Sequence, residues 1–192
     1  QTIWGPFLRE RLIHADPHPG NFIVLPDGRL GVLDFGATKR LSVPFALAYW
    51  RLVKAALAGG RADVLGLLMS AGFDMKGDSG ELDLWLHALS EIVERPIRAD
   101  HYDWEACRIA IDCRDLFARN VGTMLRCRAP AEGVMFYRAA AGAAGDFRLL
   151  KAKGDFRGAL RDLVGVAEKH LEPALREAGG PELFPDAAPA QT

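Results

Sequence analysis

Two polar motifs near the start of the chain constrain its fold and chemistry more than any other feature. The first is His-Ala-Asp-Pro-His-Pro-Gly-Asn at residues 14–21, and the second is Asp-Phe-Gly at residues 34–36. Asp16 and Asn21 have the spacing at which metal-assisted phosphoryl transfer uses a catalytic aspartate and a metal-binding asparagine. Asn21 and Asp34 carry oxygen ligands of the type that Mg²⁺ prefers. The pattern predicts Asp16 as a catalytic residue and Asn21 and Asp34 as ligands of a metal and its nucleotide.

The segment between the two motifs is predicted to be a β-hairpin. Residues 22–25 and 30–33 are apolar runs rich in β-forming side chains, and they flank the turn residues Pro-Asp-Gly at 26–28. In such a turn the proline presets φ and the glycine accepts a positive φ. Asn21 enters one strand and Asp34 leaves its partner, so antiparallel pairing is expected to bring them to one edge of the hairpin.

A zinc site built on His14 and His18 is a weaker interpretation of the first motif. A His-x-x-x-His pair needs both rings on one face of a helix, and Pro17 and Pro19 oppose a helix at this point. His14 is better interpreted as a structural histidine that braces the loop. For His18, contact with a phosphate and a purely structural role both remain open.

At residues 12–41 the chain resembles the C-terminal lobe of the UbiB/AarF atypical kinases, also called the ABC-one family. The resemblance rests on the eight-residue motif followed by Leu-Asp-Phe-Gly. Aminoglycoside and choline phosphotransferases share a distantly similar loop, but Ala15 and Pro17 favour the UbiB/AarF family.

This resemblance implies a protein-kinase-like fold that uses ATP with Mg²⁺. By carry-over, Asp16 is the catalytic-loop aspartate, and Asn21 and Asp34 are the metal ligands. The family resemblance also implies an atypical kinase or ATPase activity linked to isoprenoid quinone (ubiquinone) biosynthesis. A lipid or quinone-precursor ligand and a peripheral membrane contact follow from the same resemblance.

Several parts of a kinase-type site have no counterpart in the sequence. Such a site needs a loop that covers the phosphates and a strand lysine paired with a helix glutamate. The family that the chain resembles adds a Lys-x-Gly-Gln element and an alanine-rich nucleotide loop. The alanine-rich run at 139–144 is not that loop, because its helical context favours close helix packing instead. We therefore expect a large lobe from a longer or truncated protein, inactive or incomplete by itself, so that whether the chain is an enzyme stays open.

The predicted fold class is mainly α with a small β-hairpin, the large lobe of a protein-kinase-like fold. Residues 1–178 form this lobe, with the catalytic loop, hairpin and metal loop at 12–41 and a helical part at 42–178. Residues 179–192, rich in proline and alanine, are predicted to be a flexible tail. Hydrophobic periodicity and breaker residues predict helices at 45–57, 61–71, 81–94, 104–120, 131–144 and 157–178. Tryptophans 50, 85 and 104 are predicted core residues.

Composition limits the partners and the compartment. The formal net charge is −1, so no basic field favours nucleic acid, and no nucleic-acid partner is expected. Cys107, Cys113 and Cys127 are odd in number and lack metal-binding spacing. They are expected to be reduced and partly buried in a cytoplasmic protein, with the membrane association that the resemblance implies.

The segment after Asp-Phe-Gly bears on the substrate. The next predicted helix follows soon after Arg40, and the chain has no Ala-Pro-Glu of the kind that ends a protein-kinase activation segment. This favours a small or lipid acceptor, or ATP hydrolysis. Two alternatives to a UbiB/AarF-type kinase or ATPase stay open: a small-molecule phosphotransferase of the aminoglycoside or choline kinase type, and a non-catalytic, pseudokinase-like interaction module.

Overall fold

The computed structural model describes residues 4–59 and 62–183 of the 192-residue chain. The described part is mainly helical with small antiparallel strand pairs, so the predicted fold class is confirmed. Its helices are α1 Trp4–Glu10, α2 Val43–Ala58, α3 Val64–Ser70, α4 Ser79–Val93, α5 Arg95–Arg98, α6 Ile109–Arg119, α7 Val121–Leu125, α8 Ala131–Leu149 and α9 Phe156–Leu183.

The strands form four separate antiparallel pairs in the described residues. They are β1 Leu12–His14 with β4 Thr38–Arg40, β2 Phe22–Val24 with β3 Leu30–Val32, β5 Asp74–Met75 with β7 Cys127–Arg128, and β6 Tyr102–Asp103 with β8 Lys153–Gly154. The first two pairs hold the motif region, and the last two tie loops of the helical part together.

The predicted hairpin is confirmed as β2 and β3. Phe22 pairs with Val32, so the strand ends next to the two motifs are neighbours. Gly28 adopts a φ of 80° in the turn, a conformation that costs glycine little because it has no Cβ. Short 3₁₀ turns at Pro19–Asn21 and Phe35–Ala37 lead into and out of the hairpin region.

Helix α2 begins and ends where its residue types predict. Ser42 caps the helix by accepting a hydrogen bond from the Phe45 N–H. A proline lies in the first turn, where its missing N–H costs nothing. Gly59 closes the helix at a φ of 69° and donates its N–H to the last carbonyls.

Two predicted segments differ from the structure. The helix predicted from residue 104 begins only at Ile109, because Trp104 follows β6 and its N–H donates to the Ala152 carbonyl at 3.0 Å. The segment between the helices predicted at 61–71 and 81–94 contains β5, and α4 begins within it at Ser79. Both segments are fixed by pairing with distant strands, which local sequence patterns do not reveal.

Other helix bounds also shift. Helix α8 continues five residues beyond the predicted end at 144, to Leu149. Helix α9 continues through Gly-Gly-Pro at 179–181 to Leu183, although these residues predicted an end at 178. The part of the predicted tail at 184–192 lies outside the described residues.

The core lies where α1, α2, α8 and α9 meet. Trp50, Phe7 and Phe45 are among the largest fully buried side chains, with Ile13 and Leu41 from the ends of the motif region. All three predicted core tryptophans, at 50, 85 and 104, are buried. The motif region is therefore attached to the main core through its own first and last strands.

The structure also bears on the cysteines and on whether a helix could span a membrane. All three cysteines are unpaired and half-buried, as expected. Within residues 4–59 and 62–183, no helix combines the length and apolar character needed to cross a bilayer.

Phe136 of α8 offers a test of this core. Its ring lies 4.4 Å from the ring of Tyr49 and 5.4 Å from that of Phe7, measured between centroids, and the side chain is buried. Phe136→Ala is expected to lower the free energy of unfolding by about 3–5 kcal/mol, because it removes buried surface and leaves a cavity. Urea denaturation provides the measurement.

Val134→Ala on the same helix is the control. Val134 is 59% exposed, so its truncation should change stability by no more than about 0.5 kcal/mol. Similar losses in the two variants would contradict the packing of α8 against α1 and α2.

Candidate active site

His14 connects the two motifs through its two ring nitrogens. Its Nε2 lies 2.8 Å from the backbone carbonyl oxygen of Asp34, and its Nδ1 lies 3.3 Å from the backbone nitrogen of Asp16. A carbonyl only accepts and an N–H only donates, so Nε2 carries the proton and Nδ1 accepts. The predicted bracing role of His14 is confirmed, and the ring sets the relative position of the catalytic loop and the Asp-Phe-Gly turn.

Asn21 is tied to Asp16 by its side-chain amide. The Nδ2 of Asn21 donates to the Asp16 backbone oxygen at 3.0 Å and to the Asp16 Oδ2 at 3.1 Å. Because the nitrogen faces Asp16, the Oδ1 of Asn21 is directed away from that carboxylate. The hydrogen bonds thus orient the oxygen that a metal would need.

Asp34 lies in a turn with an uncommon backbone conformation. Its φ is 52°, in the left-handed region that few non-glycine residues adopt. The Oδ1 of Asp34 accepts from the Gly36 N–H at 3.0 Å, which holds the turn. The Leu33 N–H donates to the Asn21 carbonyl at 2.7 Å, so Asn21 and Asp34 lie at the same edge of the hairpin, as predicted.

The donor chemistry at this edge fits Mg²⁺. Of the oxygens in the two side chains, the Oδ1 of Asn21 and the Oδ2 of Asp34 are without a protein partner among the hydrogen bonds of the described residues. No group of three or more His, Cys, Asp or Glu side chains in that part of the chain could hold a metal. Mg²⁺ needs few protein ligands, because it keeps several waters and takes oxygens from substrate phosphates.

Arg138 of α8 supplies the positive charge beside Asp16. Its Nη2 lies 2.9 Å from the Asp16 Oδ1, and both side chains are partly exposed. This hydrogen bond is the main reason why the pKa of Asp16 is lowered, followed in the same direction by the Asn21 hydrogen bond. A carboxylate with a lowered pKa is a poor proton acceptor, so Asp16 is suited to orienting a nucleophile through a hydrogen bond.

Asp146, also on α8, is a second carboxyl near the motif. Burial raises its pKa, and the opposing influence is the charge of His18. The charge of His18 also acts on Asp16 in the lowering direction. His18 thus lies within electrostatic reach of two carboxyls, while its Nδ1 accepts from the Gly20 N–H at 3.0 Å within its own loop.

Sequence patterns identified part of this arrangement. The predicted residues Asp16, Asn21 and Asp34 are brought together by the hairpin and by His14. Arg138 and Asp146 were missed. They share one face of α8 at a helical spacing, but no local signal connects that helix with a loop more than a hundred positions earlier in the chain.

Known proteins resemble the part of the chain that carries this site. Residues 2–67 match the family model of the ABC1 atypical kinase-like domain. An uncharacterized protein of Synechocystis sp. is 59% identical over 29 residues, which are 15% of this chain and 4% of that protein. The Arabidopsis thaliana chloroplast protein named activity of BC1 complex kinase 3 is 70% identical over 23 residues, 12% of this chain and 3% of that protein. The resemblance to the ABC1 family is confirmed.

These matches cover only the N-terminal part of the chain. The family match includes the three predicted site residues and ends inside α3 at residue 67, so α8 lies beyond it. The segments shared with the two relatives cover far less than two thirds of either relative. Together with the mainly α structure, the family match agrees with the predicted large lobe of a protein-kinase-like fold.

His14→Ala tests the connection between the two motifs. The variant loses a donor to the Asp34 carbonyl and an acceptor for the Asp16 N–H, and each bond contributes about 1 kcal/mol. We expect the free energy of unfolding to fall by about 1–2 kcal/mol, with NMR shifts of the amide signals concentrated in both motifs. His101→Ala, at an exposed position, is the control. Undisturbed amide signals in the Asp-Phe-Gly turn would contradict the bridging role.

Proposed function

We propose that this chain forms the large-lobe half of the catalytic site of an ABC1-type atypical kinase or ATPase that uses Mg²⁺ and ATP. The observation that carries the proposal is the convergence of the two motifs on His14, which joins Asp16 to Asp34 while Asn21 is bonded to Asp16. The family match covers all of these residues.

The residues of the site divide the work. The Oδ1 of Asn21 and the Oδ2 of Asp34 would hold Mg²⁺, which when bound neutralises charge on the transferred phosphoryl group. Asp16, whose pKa is lowered by the hydrogen bond from Arg138, orients the attacking hydroxyl or water by accepting its hydrogen bond. His14 holds the two motifs at a fixed separation. The groups that would bind the nucleophile and the metal are therefore in position before the substrate arrives.

The short segment after the Asp-Phe-Gly turn supports a small or lipid acceptor. It runs directly into β4, which pairs with β1, and the Ser42 cap of α2 follows at once. Arg40, at the end of β4, donates to the Glu10 carbonyl at 2.7 Å, so this cation is engaged in holding α1. A protein kinase uses a much longer segment here to bind its peptide substrate.

The wider biological assignment is part of the proposal. The ABC-one resemblance supports a role in isoprenoid quinone biosynthesis, with a lipid or quinone-precursor acceptor. Such an acceptor resides in a membrane, so we propose peripheral membrane contact. The unpaired cysteines support a reducing compartment, and we therefore propose a cytoplasmic location.

Asp34→Asn tests the metal assignment. The substitution removes the negative charge that attracts Mg²⁺ while it preserves the size of the side chain, so Mg²⁺-dependent ATP binding is expected to disappear and the fold to remain. Calorimetric titration with ATP, with and without Mg²⁺, is the measurement.

Asp27→Asn, an exposed aspartate in the hairpin turn, is the matched control and should bind as the parent does. Equal Mg²⁺–ATP affinity in Asp34→Asn and the parent would refute the assignment. Absence of binding in the parent itself would favour the non-catalytic interaction module for this chain.

Asp16→Asn tests the catalytic assignment in the complete protein that contains this lobe. Asparagine offers the nucleophile a weaker acceptor, so turnover is expected to fall by about 100-fold or more, while Mg²⁺–ATP binding persists. Phosphate release and calorimetry measure the two quantities. Asp115→Asn, at a partly exposed position of α6, is the control. Turnover equal to that of the parent would exclude a catalytic role for Asp16.

A further inference from the structure

Helix α8 contacts two consecutive residues of the catalytic loop from two positions one helical turn apart. Arg138, Gly142 and Asp146 are each four positions apart, so they lie on one face of the helix. We call this face the loop-facing stripe. It contacts the loop at Asp16 and at Pro17, and the charge of His18 acts electrostatically on Asp146.

The first contact of the loop-facing stripe is electrostatic. Arg138 donates from Nη2 to the Asp16 Oδ1 at 2.9 Å, and Asn21 donates to the other carboxylate oxygen. The two donors approach opposite oxygens and therefore fix the plane of the carboxylate. Each oxygen retains a lone pair for a further hydrogen bond.

The second contact is steric. A Cβ added at Gly142 would lie 2.4 Å from Cγ and 3.1 Å from Cδ of Pro17, far inside van der Waals contact. Pro17 is buried. The backbone of α8 thus approaches the proline ring at a distance that only glycine allows, and the rigid ring transmits this contact to the residues on either side.

A carboxyl on the next turn of the stripe interacts electrostatically with the next loop residue. Asp146 is half-buried, and His18 is the neighbour whose charge acts on it. The loop-facing stripe therefore places Arg138 against the Asp16 carboxylate and the bare backbone of Gly142 against the Pro17 ring. The electrostatic interaction of Asp146 with His18 agrees with the same alignment of loop and helix.

We propose that Arg138 is a positioning residue for Asp16 and that the loop-facing stripe of α8 sets the register of the catalytic loop. The positioning role of Arg138 rests on the proposed catalytic role of Asp16. The contact between α8 and the loop does not depend on that role. Arg138 is proposed to act through Asp16 and not through contact with the substrate.

Amide hydrogen exchange, followed by NMR on the chain without nucleotide, tests the stripe directly. The reporters are the amides of Asp16, Gly20 and Asn21, which donate within the loop. Arg138→Gln is expected to accelerate their exchange by about two- to five-fold, the range for loss of one partly exposed ion pair. Gly142→Ala should accelerate it further, because the loop must move to admit the Cβ.

Matched controls are available on the same helix. Gly145→Ala adds a methyl group where no atom of the described residues lies within 4 Å, and Arg148→Gln removes an exposed cation. Both should leave loop exchange unchanged. Arg138→Lys should restore slow exchange, since Arg138 reaches Asp16 through a single donor atom, Nη2. Loop exchange in Arg138→Gln and Gly142→Ala equal to that of the controls, or acceleration spread evenly over the chain, would overturn the proposal.

Kinetics of the complete protein separate the two proposals. Arg138→Gln should lower kcat while the KM for ATP stays unchanged. The reason is that the variant displaces the Asp16 carboxylate and leaves the proposed metal ligands in place. Local acceleration of exchange with no ATP turnover in the parent would preserve the docking of the loop on α8 and refute the proposed function. Turnover in the parent with an unchanged kcat in Arg138→Gln would overturn the positioning role alone.

Discussion

The relative placement of the two motifs depends on the imidazole of His14. One ring nitrogen accepts from the backbone of the catalytic loop and the other donates to the carbonyl of Asp34. The ring is planar and rigid, so it fixes both distance and direction between the segments. Because its partners are backbone groups, the constraint does not compete with Asp16 and Asp34 side chains for their oxygens. The functional groups are thus held in position while they stay available to ligands.

The two aspartates of the site differ in how their negative charge is compensated. Arg138 pairs with Asp16, whereas among the described residues the carboxylate of Asp34 accepts only from a backbone N–H. An anion without a cationic partner attracts a metal more strongly than one that is already neutralised. This difference supports separate roles for the two aspartates: Asp34 for a cation, and Asp16 for orienting a neutral hydroxyl group.

Sequence patterns could predict those parts of the molecule that local chemistry determines. The hairpin and α2 follow from turn residues, a serine cap and a terminal glycine, all within a few positions of the elements they define. The start of α6 could not be predicted, since Trp104 is held by the distant Ala152 carbonyl. Arg138 escaped detection for the same reason. Its partner is 122 positions away in the sequence, and a solvated arginine on a helix is the ordinary expectation.

The small residues of α8 explain how the core and the site are coupled. Ala139 and Ala143 are buried on the face that also carries Phe136, and Gly142 lies on the neighbouring face against Pro17. At 100° per residue, Gly142 is offset by about 60° from Ala139 and by about 100° from Ala143, so one run of small side chains faces both the core and the loop. The helix can therefore approach the aromatic core and the catalytic loop at once. A larger residue on either face would separate α8 from one of them, and the loop would lose the support through which its geometry is tied to the packed interior.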